Sequence, residues 1–143
     1  MFIGEYQHSL DDKGRLAIPV KFRAQLKKGA VATKGLDNCL FLYSKDAWNK
    51  IATKLANLPF SQAKARALSR HMLAGAMDVE FDSQGRIMLP EYLRVFAGLK
   101  KRAIIAGIYD RLEIWDETAW NSFKQGAEKE STQIAEALGE LGV

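Results

Sequence analysis

The chain has 143 residues, 48% of them apolar, with 21 Lys and Arg against 17 Asp and Glu for a formal charge of +4. That length holds one ordinary domain or two very small ones, and a unit of roughly 50 residues buries only about 60% of its unfolded surface, so two such units are expected to pack together. There is no 18-residue apolar run and no basic start leading into an apolar stretch, which argues against a membrane helix and a signal peptide; the single cysteine, Cys39, cannot form an internal disulfide. A cytoplasmic, reducing location is expected.

Residues 5–10, ending in Leu10, read as a strand, followed by a turn at D-D-K-G and a second short strand over 15–18. The two strands read as a hairpin. Glycine in the fourth turn position suggests a positive φ. Pro19 suits the first turn of a short helix with Phe22 and Leu26 facing inward. Strands follow over 30–34 and 39–43, joined by a Gly/Asp/Asn turn, with Cys39 read as a small buried hydrophobe. Ser44 is a candidate N-cap for a helix carrying the stripe Trp48, Ile51 and Leu55, which is read as core. After a Pro59 turn, an amphipathic helix is expected with Ala65, Leu68 and Met72 on one side.

The same string of elements then returns. D-D-K-G-R-L-A-I-P-V-K-F-R, from Asp11 to Arg23, recurs 71 residues on as D-S-Q-G-R-I-M-L-P-E-Y-L-R, from Asp82 to Arg94. One residue of insertion later, Gly35 to Asn49 matches Gly107 to Asn121, with the A-W-N triplets coinciding. Two matches of this kind establish an internal duplication. The second copy predicts strands over 76–81, 86–89, 102–107 and 111–115, a Pro90 helix with Leu93 and Phe96 inward, and an Asp116-capped helix with Trp120 and Phe123 on one stripe. Beyond Gln125 the chain is acidic and weakly periodic, and a fraying helix or mobile tail is expected.

Charge is unevenly placed. Residues 1–125 carry 20 Lys and Arg against 13 Asp and Glu, whereas 126–143 carry Lys129 against Glu128, Glu130, Glu136 and Glu140. A basic body suits a polyanion. Catalysis has no marker: His8 and His71 are 63 residues apart, neither they nor Cys39 has metal-ligand spacing, and no phosphate-binding glycine loop or nucleophile motif occurs. His71 is read as a helix-surface residue, and no catalytic residue, cofactor or metal is assigned.

The turns are where chemistry concentrates. Lys13 and Arg15 flank Gly14, and Gln84 and Arg86 flank Gly85. Arginine can read guanine bidentately, and Lys or Gln can add base or phosphate contacts, which is what a β-ribbon in a major groove requires. Asp11 and Asp82, four residues before the arginines, can accept turn N–H groups or hold the guanidinium fork. A D-x-x-G-R turn is equally a sound structural device, with the ion pair serving only to close it. Recurrence of the arginine and the basic body tilt the reading toward nucleic acid, with Lys21, Arg23, Lys27, Lys28, Arg94, Lys100, Lys101 and Arg102 available for backbone contacts.

The doubled D-x-x-G-R-x-x-x-P, the A-W-N helices and the length closely resemble the MraZ family over about residues 1–125. The resemblance implies an α+β fold of two tandem swapped-hairpin, AbrB-like β-barrel units related by pseudo-two-fold symmetry, with helices after each unit. On this reading, residues 5–47 and 76–119 are DNA-binding domains, 48–75 a helical linker, and 120–143 a C-terminal helix and acidic tail. It further implies a ring-shaped homo-oligomer that binds short direct repeats of double-stranded DNA in the promoter of its own division and cell-wall operon, usually as a repressor. No enzyme activity, membrane or small-molecule substrate is implied, and the location is cytoplasmic and nucleoid-associated. Carried over by position, the site is Asp11, Lys13, Gly14 and Arg15 with Asp82, Gln84, Gly85 and Arg86; Ser83 and Gln84 make the second copy less basic. The alternative is an interaction protein whose turn arginines serve subunit contacts.

Overall fold

The computed structural model describes residues 1–142. Among the described residues, eight strands and five α-helices form a mixed α+β architecture. The first copy contributes β1 (Phe2–Ser9), β2 (Arg15–Ala17), α1 (Val20–Arg23), β3 (Ala30–Lys34), β4 (Leu40–Ser44) and α2 (Lys45–Ala56). After α3 (Ala63–Ser69) and a π-helical turn at Arg70–Ala74, the second copy contributes β5 (Met77–Val79), β6 (Arg86–Met88), α4 (Glu91–Phe96), β7 (Arg102–Tyr109), β8 (Leu112–Asp116) and α5 (Glu117–Ala137).

Strand pairing crosses the duplication. One antiparallel sheet runs β1-β7-β8-β4-β3-β5, and a separate ribbon pairs β2 with β6. Exchanging the copies reverses that order onto itself, so the connectivity has pseudo-two-fold symmetry. The first strand of each copy lies on the third strand of the other: Phe2 to Ser9 pair with Tyr109 to Arg102, and Ala30 to Ala32 pair with Val79 to Met77. The expected hairpin within each copy is therefore corrected. After its turn the chain leaves one sheet and enters the other, and in the first copy only Leu10 and Leu16 form a bridge. The reason is burial: Leu16 and Ile87, opposite each other on the ribbon, are fully enclosed only when the two copies share one core.

That core fills one face of the large sheet. Leu16, Ile18, Phe22 and Leu26 meet their counterparts Ile87, Leu89 and Leu93, above Ala32, Leu40, Leu42, Ile105, Leu112 and Ile114. Alternate residues of the same strands, Phe41, Tyr43, Ile104 and Trp115, point to the opposite face. There they pack with Cys39, Leu55 and Met72; of the expected core stripe Leu55 is buried, and Trp48 and Ile51 are partly buried against this cluster. The buried Thr33 hydroxyl donates to the Met72 carbonyl (2.6 Å), fastening the π-helical turn to β3.

Several local expectations change. Pro19 and Pro90 precede their helices as N-caps rather than occupying the first turn. His71 is half-buried: its Nε2–H donates to the Gly35 carbonyl (2.8 Å), and its ring meets the edge of Phe96. Helix α5 runs to Ala137, so the segment beyond Gln125 takes the helical of its two expected forms. Its first turn is capped by Asp116 and held to β1 by Glu5, which accepts from Trp120 Nε1 and Lys124 Nζ, both at 2.6 Å. Propagation from an anchored turn through good helix formers is cheap. Phe123, expected on a stripe with Trp120, is half-exposed.

Candidate functional site

Each D-x-x-G-R turn folds by the same local rule. The Asp11 carbonyl accepts from Gly14 N–H (3.0 Å), and its carboxylate accepts from the N–H groups of Lys13 (3.0 Å) and Arg15 (2.8 Å) and from Arg15 Nε (2.6 Å). In the second copy the Asp82 carboxylate accepts from Gln84 N–H (2.9 Å), Arg86 N–H (2.9 Å) and Arg86 Nε (2.8 Å). Both roles considered for the aspartate, turn closure and fork holding, are thus performed at once. Hydrogen bonds from the arginine backbone, then from its side chain, hold both carboxyls below the usual carboxylate range.

The turns lie at opposite ends of the β2–β6 ribbon, and each is locked by the other copy. Leu89 N–H donates to the Gly14 carbonyl (2.8 Å), and Ile18 N–H donates to that of Gly85 (3.1 Å). Arg94 and Arg23 then lie over Gly14 and Gly85, with Nε of each donating to the carbonyl of Leu89 (3.0 Å) and Ile18 (2.8 Å) respectively. Both glycines have positive φ, 82° and 75°.

Register decides what faces out. Arg15 stands opposite Met88, Leu16 opposite Ile87 and Ala17 opposite Arg86. Since Leu16 and Ile87 point inward, period-two alternation puts Arg15, Ala17, Arg86 and Met88 together on the outer face. The two arginine side chains are partly open, at 32% and 26% exposure, and Arg86 Nη1 stands 3.9 Å from Asp11 Oδ2 across the ribbon. Their Nε atoms are committed to aspartate, which fixes the orientation of each fork. Lys13 and Gln84 are exposed at the turns; Gly14 and Gly85 are buried beneath them.

The eight residues singled out from the sequence are therefore brought together, as one two-ended surface rather than two separate projecting tips. Sequence reasoning missed the other two outer-face positions, Ala17 and Met88. The signal was present, because both sit two residues beyond an outward arginine. Of the accessory cations, Arg23 and Arg94 belong to the turns, while Lys27, Lys28, Lys100, Lys101 and Arg102 are exposed elsewhere.

Away from this face, the buried Glu113 carboxylate is matched by Arg111 Nη2 (2.9 Å) and Trp115 Nε1 (3.1 Å), the pattern of a satisfied structural pair. Burial pushes the Cys39 thiol well above its ordinary pKa, the opposite of an activated nucleophile. Among the described residues no cluster of three or more His, Cys, Asp or Glu could hold a metal ion, and no helix is long and apolar enough to cross a membrane.

Comparison with known proteins adds a family. The family model for MraZ protein, described as antitoxin-like, matches residues 1–71 and again residues 72–140. The chain is 48% identical to the transcriptional regulator MraZ of Syntrophomonas wolfei, over 143 residues and 100% of both chains. Identity is 48% to the transcriptional regulator MraZ of Acetivibrio thermocellus and 44% to that of Halothermothrix orenii, again over 100% of both chains.

Proposed function

The chain belongs to the MraZ family, and on that premise we propose that it is a sequence-specific, double-stranded-DNA-binding transcriptional regulator and not an enzyme. The observation that carries this reading is the pair of aspartate-held guanidinium groups, Arg15 and Arg86, diagonally across from each other on the outer face of the β2–β6 ribbon. A two-stranded ribbon fits a major groove, where a fixed arginine fork matches the O6 and N7 acceptors of guanine. Asp11 and Asp82 position the forks, Gly14 and Gly85 shape the turns, and Lys13 and Gln84 add contacts at either end.

The reading extends to architecture and target. The exchange of strands between copies supports two swapped-hairpin, AbrB-like units, with residues 5–47 and 76–119 as the DNA-binding repeats, 48–75 as a helical linker and 120–143 as a C-terminal extension. The target is a set of short direct repeats in the promoter of the protein's own division and cell-wall operon, bound by a ring-shaped homo-oligomer in the cytoplasm at the nucleoid. Several weak ribbons on one ring, facing repeated sites, raise effective concentration so that modest contacts sum to specific binding.

Footprinting of the purified protein on the DNA upstream of its own reading frame tests this directly. Arg15→Ala is expected to abolish specific retention of that fragment while the assembly keeps its size in gel filtration. If the variant instead shrinks the assembly and leaves retention intact, the arginines serve subunit contacts and the DNA reading is overturned. Retention by the wild type should also weaken steeply with salt, as phosphate contacts require.

A further inference from the structure

The pseudo-two-fold symmetry of the ribbon is broken on its outer face. Antiparallel register places Met88 beside Arg15, at the end that carries Lys13, and places Ala17 beside Arg86, at the end that carries Gln84. Ala17 and Met88 are equivalent positions of the two repeats. One end therefore presents a lysine, an arginine and a long thioether, and the other a glutamine, an arginine and a single methyl group. Met88 is 57% exposed on this face, although its chain neighbours Ile87 and Leu89 are fully buried.

We propose that Met88 contacts the 5-methyl group of a thymine in the major groove, at one end of the ribbon only, so that the protein reads a site lacking two-fold symmetry. The proposal rests on the DNA-binding reading and deepens it. The thymine methyl is the apolar feature that major-groove base edges offer, and it is normally met by an apolar side chain. Methionine suits it, being unbranched, polarizable and able to settle against an irregular surface. The reach also differs between ends: a four-atom side chain beside Arg15 spans from the ribbon to a base edge, while the Ala17 methyl beside Arg86 stops at the backbone. The guanine read by Arg15 should accordingly have a thymine beside it, and the guanine read by Arg86 need not.

Deoxyuridine, which differs from thymidine only by that methyl, supplies the test. The footprinted fragment is prepared with each thymine in turn replaced by deoxyuridine, and titrated with wild type, Arg15→Ala, Met88→Ala and Met88→Leu. At one position the replacement is expected to weaken wild-type binding about fourfold, the loss of one buried methyl contact. Met88→Ala should bind the unmodified fragment as weakly as wild type binds that deoxyuridine fragment, and should be indifferent to the replacement. Met88→Leu should retain most of the discrimination. A flat deoxyuridine scan for wild type, or an equal fourfold loss in Met88→Ala, overturns the contact. If Arg15→Ala still abolishes retention in that case, the regulator reading survives; if wild type shows no specific retention at all, both fall.

Discussion

Arg94 closes over Gly14, so that a Cβ built on the glycine would stand 2.7 Å from its Nε, and Arg23 does the same over Gly85. Each repeat thus supplies the cover for the other repeat's turn, and neither turn is complete without both copies. Gly14→Ala and Gly85→Ala combine a left-handed backbone with a collision against that cover. Each is expected to cost at least the about 1–2 kcal/mol of αL strain, seen as a lower midpoint in urea or thermal unfolding.

Arg15 and Leu16 are adjacent in the chain and opposite in consequence. Leu16 is fully buried, and Leu16→Ala should destabilise the fold by about 2–5 kcal/mol through the cavity left in the shared core. Arg15→Ala removes a partly solvated ion pair and should leave the unfolding midpoint close to that of wild type while removing specific DNA retention. Denaturation curves and a gel-shift titration of the two variants separate these effects.

The turn carboxylates predict a response to acid. Asp11 and Asp82 titrate lower in the folded chain than unfolded, first because of the Arg15 and Arg86 backbone N–H groups. Stability from such groups is complete above the unfolded value, about 3.9, and is lost as pH falls through the folded one. Their contribution should therefore be constant from neutral pH to about pH 5 and decline below about pH 4. The double variant Asp11→Asn, Asp82→Asn should show a shallower acid limb in pH-dependent unfolding; an unchanged limb would assign it to other carboxylates.

Thr33 tests the attachment of the inter-repeat segment. Thr33→Val keeps the shape but leaves the Met72 carbonyl without its donor, a loss of about 1–3 kcal/mol. Thr33→Ser should recover most of it. Hydrogen exchange in residues 70–74 should rise in the valine variant ahead of the rest of the chain.

Much of the site was legible because its rules are local. A carboxylate four residues before an arginine, with glycine between them, closes a turn whatever surrounds it, and both copies do so. Caps were equally readable: Ser44 and Asp116 bond their helices' first-turn N–H groups as expected. Of the hairpins expected between strands adjacent in sequence, β3–β4 and β7–β8 form, and the one across each D-x-x-G-R turn does not. β1 and β2 are separated by one tight turn, yet they lie in different sheets.

The amino-acid order alone determined the duplication, the paired turns and the uneven charge, because these depend on side-chain identity and short spacing. Only the tertiary structure decided that strands exchange between copies and that Arg15, Ala17, Arg86 and Met88 share one face. Backbone groups of any residue can satisfy a ladder, so pairing partners carry little signature in sequence. The choice is made by burial, which here is completed only when Leu16 of one repeat meets Ile87 of the other.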